Sequence, residues 1–308
     1  MDRNTRDRTN DFVLKIATVN GTGSASANGL LMQAIFRMGV PVSGKNIFPS
    51  NIQGLPTWYE VRANKSGHLA RRAHPDVMVA MNPKTYEQDI AETRSGGTVL
   101  YDSSWPLDEQ LMRDDVSFLG VPLSQMCVES FKGSRERILM KNIAYVGALA
   151  ALLTIDLEVI DGILKEKFSS KPHLMDSNDS ALKLGYDYVR EHFDCPLPAH
   201  LENMDATKES VLMTGNMSAA LGCVYAGATV GAWYPITPSS SLMESFTAFC
   251  GQLRKDPETG KNLYCVIQAE DELAAIGIVL GASWMGARAF TPTSGPGISL
   301  MTEFIGLA

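Results

Sequence analysis

The 308-residue chain has five cysteines, Cys127, Cys195, Cys223, Cys250 and Cys265, and no two of them form a CxxC pair. Their dispersal argues against a zinc site or an iron–sulfur cluster held by this chain alone. An odd number of scattered thiols suits a reducing, cytoplasmic compartment. A basic excess is also missing: 27 Lys and Arg face 34 Asp and Glu, giving a net charge of -7. A surface that reads nucleic-acid phosphates needs the opposite balance. Long apolar runs are absent too. The polar segment Met1 to Asn10 is unlike a signal peptide. The most apolar stretch, Ile143 to Leu157, carries Tyr145 and Asp156 and is too short to span a bilayer. No low-complexity tract or short-period repeat interrupts the chain.

What remains is the composition of a globular protein long enough for two domains, with 45% hydrophobic and 20% charged residues. Phe12 to Asn20 reads as a buried strand, followed by the turn Gly21-Thr22-Gly23 and a helical pattern through Leu30, Leu31, Ala34, Ile35 and Met38. Asp76 to Ala80 and Gly97 to Tyr101 read as further central parallel strands. Arg135 to Phe168 carries a long helical pattern. The spacing therefore predicts α/β architecture, with two doubly wound parallel-sheet domains. A first domain spans 1–168. A connector covers 169–209, with one short helical piece at Ala181 to Val189. A second domain spans 210–308.

In the second domain, strands are expected at Val211 to Met213, Gly231 to Tyr234, Asn262 to Gln268 and Ala287 to Thr291. Helices are expected at Met217 to Tyr225 and Leu273 to Met285. Three segments lie at strand ends, where open α/β sheets bind ligands. The first is Tyr234-Pro235-Ile236-Thr237-Pro238-Ser239-Ser240. Its two prolines restrict the Thr237 hydroxyl, and Ser239 reads as the cap of the next helix. The second is Glu270-Asp271-Glu272, which could equally be a solvated helix start whose acids complement the dipole. The third is Thr293-Ser294-Gly295-Pro296-Gly297, whose glycines allow close approach to a flat ring.

Together with Glu272-Leu-Ala-Ala-Ile-Gly-Ile-Val-Leu-Gly-Ala282 and Ala287-Arg288-Ala289, these segments resemble the pyrimidine-binding domain of the 2-oxoacid:ferredoxin oxidoreductases. The resemblance implies a thiamine-diphosphate site with Glu272 facing the aminopyrimidine; Glu270 is the alternative if the register slips. It also implies that Thr237 contacts the 2-oxoacid, and that Tyr234, Pro235, Ile236, Pro238, Ser239, Thr293, Ser294 and Gly295 surround the cofactor. Ser43-Gly-Lys45-Asn46-Ile-Phe-Pro-Ser-Asn-Ile-Gln-Gly54 and Trp58-Tyr-Glu-Val-Arg62 resemble the gamma domain that some members carry ahead of the pyrimidine domain, and look most like the 2-oxoglutarate enzymes.

That domain helps to bind coenzyme A in the family. Gly21, Thr22, Gly23, Ser43, Lys45 and Asn46 are the candidates here, with Arg62, Arg71 and Arg72 as further anion partners. The Gly21–Gly23 turn lacks the third glycine of a dinucleotide fingerprint, because Ser26 stands there. This chain has no GDG-type loop for diphosphate and magnesium and no cysteine quartet. The resemblance places Mg²⁺ and a [4Fe–4S] cluster on a separate beta subunit, with ferredoxin as electron acceptor. The helical pattern running into Gly306-Leu-Ala308 suggests a piece of a longer subunit. Pyruvate or another oxoacid as substrate, or a non-catalytic nucleotide- or coenzyme A-binding module, are the alternatives.

Overall fold

The structure, a computed structural model, describes residues 8–48, 55–169 and 172–308. Two compact units divide the chain, Met1–Val211 and Leu212–Ala308. Of the Ser43 to Gly54 run, residues 49–54 lie outside the described residues. Among the described residues no helix is long and apolar enough to cross a membrane.

The first unit begins with β1 (Asp11–Val19), α1 (Ser24–Arg37), β2 (Val42–Ile47) and β3 (Pro56–Asn64). It continues with β4 (Val77–Ala80), α2 (Tyr86–Glu92), β5 (Thr98–Asp102), β6 (Ser117–Val121) and α3 (Leu123–Ser130). It closes with α4 (Ser134–Leu153), α5 (Leu157–Phe168) and α6 (Pro172–His192). Its six-stranded sheet has the order β2-β3-β1-β4-β5-β6. β1, β4, β5 and β6 run parallel. The β2–β3 hairpin adds an antiparallel edge that the strand expectations did not include. Strand alternation divides the core between the two faces. Val77 and Val79 join Phe12, Leu14 and Ile16 under the α1 and α4–α6 layer, while Met78 and Ala80 pack with Tyr86 and Ile90 of α2.

The long helical pattern over 135–168 is two helices. Thr154 adopts a left-handed φ of 58° that ends α4. The Asp156 carboxylate then caps α5 by accepting from the Glu158 backbone N–H at 2.9 Å. The expected connector also differs from what is seen. α6 has 21 residues rather than the short piece at 181–189, and it lies against α4 with backbones touching. A Cβ on Gly147 would stand 1.9 Å from the Leu182 carbonyl oxygen, and one on Gly185 would stand 1.9 Å from that of Ala144. After α6 the chain returns to the same unit, with Leu197 and Leu201 donating to the Leu152 and Leu153 carbonyls. The strand expected at Val211 to Met213 is absent. Val211 is 78% exposed and no neighbouring strand pairs with it.

The second unit comprises α7 (Gly215–Tyr225), β7 (Val230–Trp233), α8 (Ser240–Leu253), β8 (Cys265–Gln268) and α9 (Glu272–Trp284). β9 (Ala289–Phe290), α10 (Gly295–Leu300) and α11 (Thr302–Leu307) complete it. Its sheet, ordered β8-β7-β9, is wholly parallel. Gly231 in the central strand lets Met243 of α8 close on the sheet, since a Cβ there would lie 2.4 Å from the Met243 methyl. Phe246 meets Phe290 edge to face, with ring centroids 4.8 Å apart.

A polar cluster lies beneath the first sheet. Lys15 on β1 ion-pairs with Glu92 and sits 5.5 Å from the Trp58 ring centre. The Trp58 indole N–H and the Thr85 hydroxyl donate to Asp89 at 2.7 and 2.6 Å. Burial pushes the Asp89 carboxyl up from 3.8 to about 6, although both donors and Lys15 oppose the rise. A native pKa above the unfolded one means that folding takes up a proton between the two values. The Asp89 contribution is therefore full below about pH 4 and is lost as pH rises through about 6. Asp89→Asn should gain stability relative to wild type by up to about 3 kcal/mol between pH 4 and 7, measured by urea denaturation at each pH. A difference that stays constant with pH would show that Asp89 is not the titrating group.

Candidate functional site

Because β7, β8 and β9 are parallel, all three strand-to-helix connections leave the same edge of the second sheet. The connection after β7 is a tight hub around the Ile236 carbonyl. It accepts from the Ser239 and Ser240 backbone N–H groups at 2.8 and 3.2 Å, and from their hydroxyls at 3.0 and 3.3 Å. The buried Ser239 side chain is thus turned back into the loop and does not cap α8, contrary to expectation. Thr237–Pro238 is a cis peptide. The Asn216 side-chain amide on α7 braces the loop, donating to the Pro238 carbonyl at 2.7 Å and bonding the Ser241 hydroxyl at 2.8 Å. Tyr234, Pro235, Thr237 and Pro238 are exposed, and Ile236 is half-buried.

The three acids after β8 have separate positions. Asp271 is the true cap of α9, accepting from the Ala274 backbone N–H at 2.7 Å. Glu270 is exposed. Glu272, the first residue of the helix, is half-buried and makes no hydrogen bond or ion pair among the described residues. A carboxylate in a first turn is favoured by roughly 0.3–1 kcal/mol, so Glu272 is tolerated there without a partner side chain.

The connection after β9 brings Thr293 to Glu272. A Cβ on buried Gly297 would lie 2.0 Å from the Thr293 hydroxyl oxygen and 3.1 Å from Glu272 Cγ. Glycine is therefore what allows these two side chains to converge. The hydroxyl oxygens of Thr291 and Thr293 are both buried without a hydrogen-bond partner among the described residues. An unmade buried hydrogen bond costs roughly 1–3 kcal/mol, a cost that a bound polar group would remove. Ser294 is half-buried, and Gly295 has open space where a side chain would be. A carboxyl with no protein partner, donors lacking acceptors and a glycine cradle fit an aromatic ring bearing hydrogen-bonding nitrogens. Arg288 is not part of this arrangement, since its guanidinium donates to the Ala226 carbonyl.

In the first unit, a cleft of about 350 Å³ opens at the carboxyl end of β1. Gly21, Gly23, Ser24, Asn28, Asn46 and Thr57 are among the residues lining it. Gly21 and Gly23 have φ of 87° and 84°, which glycine alone adopts readily. A side chain on Gly23 would also strike Leu139, at 2.5 Å. The Thr22 hydroxyl donates to the Val19 carbonyl, and its own carbonyl accepts from Asn142 on α4 at 2.8 Å.

The structure thus brings Gly21, Gly23 and Asn46 together but sends Ser43 and Lys45 elsewhere. The Ser43 hydroxyl donates to the Leu69 carbonyl, and Lys45 pairs in register with Glu60, one residue out of phase with Asn46. Nor are the three arginines free anion partners. Arg62 and Arg72 bind Asp11 at 2.5 and 2.9 Å, and Arg71 binds Glu60 at 2.7 Å. The cation that does reach the first turn of α1 is Lys167, which donates to the Ser26 hydroxyl at 2.5 Å. Its place in the last turn of α5 gave no signal in the sequence. Asn142 and Asn216, whose roles depend on tertiary contacts, were equally invisible.

The family profile described as pyruvate ferredoxin/flavodoxin oxidoreductase matches residues 13–188. A second, described as the thiamine-diphosphate-binding part of pyruvate flavodoxin/ferredoxin oxidoreductase, matches residues 221–308. The chain is 28% identical to 2-oxoacid:ferredoxin oxidoreductase 2, subunit alpha, of Aeropyrum pernix, over 97% of this chain and 53% of that one. It is also 28% identical to the 2-oxoglutarate oxidoreductase subunit KorA of Mycobacterium tuberculosis, over 98% of this chain and 49% of that one. Its fold matches the 2-oxoglutarate:ferredoxin oxidoreductase of Magnetococcus marinus, solved with 2-oxoglutarate, coenzyme A and succinyl-CoA bound. The TM-score is 0.82 at 28% identity, covering 98% of this chain and 50% of that one. The chain spans about half the length of these relatives.

Gly297→Ala tests the convergence directly. It should push Thr293 and Glu272 apart and weaken thiamine-diphosphate binding at least about tenfold, read by tryptophan fluorescence quenching in the purified complex. Unchanged affinity would mean that the two side chains need not meet.

Proposed function

The chain belongs to the pyruvate ferredoxin/flavodoxin oxidoreductase family, and on that premise we propose that it is the alpha-subunit portion of a 2-oxoglutarate:ferredoxin oxidoreductase. The proposed reaction converts 2-oxoglutarate and coenzyme A, with two oxidised ferredoxins, to succinyl-CoA, carbon dioxide, a proton and two reduced ferredoxins. The observation that carries the reading is the unpaired Glu272 carboxyl. It stands beside Thr293 over Gly297, at the carboxyl edge of the unit that the thiamine-binding profile matches.

Bound thiamine diphosphate supplies the carbon nucleophile for the keto group and accepts the electron pair left when carbon dioxide departs. Glu272 holds a proton at the ring nitrogen of the aminopyrimidine, which sets the state of the exocyclic amine. Thr237, exposed on the loop that Asn216 braces, donates its hydroxyl to the oxoacid. Tyr234, Pro235, Ile236, Pro238, Ser239, Ser294 and Gly295 shape the wall around the ring.

Coenzyme A is the ligand proposed for the Gly21–Gly23 cleft. Its phosphates meet the amino terminus of α1, with Lys167 in place of the expected Lys45. A beta subunit carrying the diphosphate and Mg²⁺ site and a [4Fe–4S] cluster completes the enzyme and passes electrons singly to ferredoxin. The choice of 2-oxoglutarate among 2-oxoacids is supported by the names of the Mycobacterium relative and the Magnetococcus structure.

Ferredoxin reduction by the assembled complex, assayed with 2-oxoglutarate, pyruvate and branched-chain or aryl oxoacids, tests the substrate. The highest kcat/KM should be with 2-oxoglutarate, and a higher value with any other oxoacid reassigns it. Glu272→Gln should lower turnover by about 10²–10⁴-fold. Thr237→Val should lower kcat/KM for the oxoacid about tenfold, the worth of one hydrogen bond to a charged group. Near-normal turnover by Glu272→Gln would remove that residue from the mechanism.

A further inference from the structure

The buried cluster around Asp89 has one member that reaches a cleft. Trp58 lines the cleft at the carboxyl end of β1, whereas Lys15, Thr85, Asp89 and Glu92 do not. Among the described residues lining it, Trp58 alone is aromatic and the rest are small or polar.

The strand register sets this up. Trp58 on β3 stands opposite Ala17 of β1, a small neighbour for a large ring. Lys15, two residues earlier on β1 and so on the same face, lies 5.5 Å from the ring centre. The indole N–H donates to one Asp89 oxygen at 2.7 Å, and the other accepts from the Thr85 hydroxyl at 2.6 Å. Asp89 is fully buried. Swinging the indole away would leave that carboxyl buried with one donor fewer, and this holds the ring in place. Trp58 itself is only half-buried. A large apolar ring is thus fixed by a polar network and left partly uncovered beside the cleft.

We propose that Trp58 is the stacking wall for the adenine ring of coenzyme A, and that Asp89 is the positioning residue of Trp58. The proposal rests on the reading that coenzyme A occupies this cleft. At about 350 Å³ the cleft is near the lower end of the roughly 300–1,000 Å³ of small-ligand sites, so it takes one part of that ligand rather than the whole. Of those parts only the adenine is a flat ring that gains from an indole face; the pantetheine arm has none.

The test is calorimetric titration of the assembled complex with coenzyme A, with adenosine 3′,5′-bisphosphate, which keeps the ring, and with 4′-phosphopantetheine, which keeps the arm. Trp58→Leu should weaken the first two by about 10–100-fold, the worth of one base stacked on an aromatic side chain, and leave the third unchanged. Trp58→Phe should keep most of the affinity and lose the fluorescence change that adenosine 3′,5′-bisphosphate produces in wild type. Asp89→Ala should raise the KM for coenzyme A with little change in kcat, and Asp89→Asn, which keeps an acceptor oxygen, should restore it. Wild-type affinity of Trp58→Leu for coenzyme A, equal weakening of all three ligands, or a fluorescence change retained by Trp58→Phe overturns the proposal. Asn46→Trp, which fills the cleft, separates the two readings. If it abolishes coenzyme A binding while Trp58→Leu does not, the cleft stands and Trp58 loses its role. If it leaves coenzyme A binding intact, the ligand lies elsewhere and the reading of the cleft itself fails.

Discussion

Common strand direction is the constraint on which the second unit's chemistry depends. Three parallel strands carry the chain out of the sheet at one edge, so three connections far apart in sequence share one surface. Each next runs into a helix amino terminus, where unpaired backbone N–H groups favour acceptors and negative charge. Reversing any one strand would move its loop to the opposite edge and dismantle the site. The same logic holds in the first unit, where the Gly21–Gly23 turn leaves the carboxyl end of β1 beneath α4.

Within that edge, function depends on which polar groups are already satisfied. Asp271 takes the capping role, which leaves its neighbour Glu272 without a structural duty. The Ile236 carbonyl gathers the Ser239 and Ser240 donors, leaving Thr237 outward on a braced loop. Gly297 removes the one side chain that would hold Glu272 and Thr293 apart. The unsatisfied groups are therefore the ones positioned for a ligand, and the satisfied ones keep them in place.

Much of this was legible in the sequence because it rests on short-range rules. Strand–glycine–helix order, the doubled proline around Thr237 and the run from Glu272 to Ala282 each carry their structure locally. Long-range contacts carried no such mark. The polar residues Asp176 to Asp179 hid the extent of α6, which is established by the backbone contact of Gly147 with Gly185's helix. Thr154 concealed the break between α4 and α5, since a left-handed threonine leaves no pattern. The arginines looked like anion partners until the Asp11 and Glu60 carboxylates accounted for them, and Lys45 until the β2–β3 register set it one residue out of phase with Asn46. Val211 to Met213 has strand composition but no partner strand, and composition alone does not make a sheet.

The central claim is that the aminopyrimidine of thiamine diphosphate lies against the edge where the three connections meet. An experimental structure of the purified complex with thiamine diphosphate bound measures this directly. The account predicts a Glu272 carboxyl oxygen within hydrogen-bond distance of a pyrimidine ring nitrogen, and Gly297 beneath the point where Glu272 and Thr293 meet. A ring held by Glu270 instead, or bound away from these three connections, would contradict it.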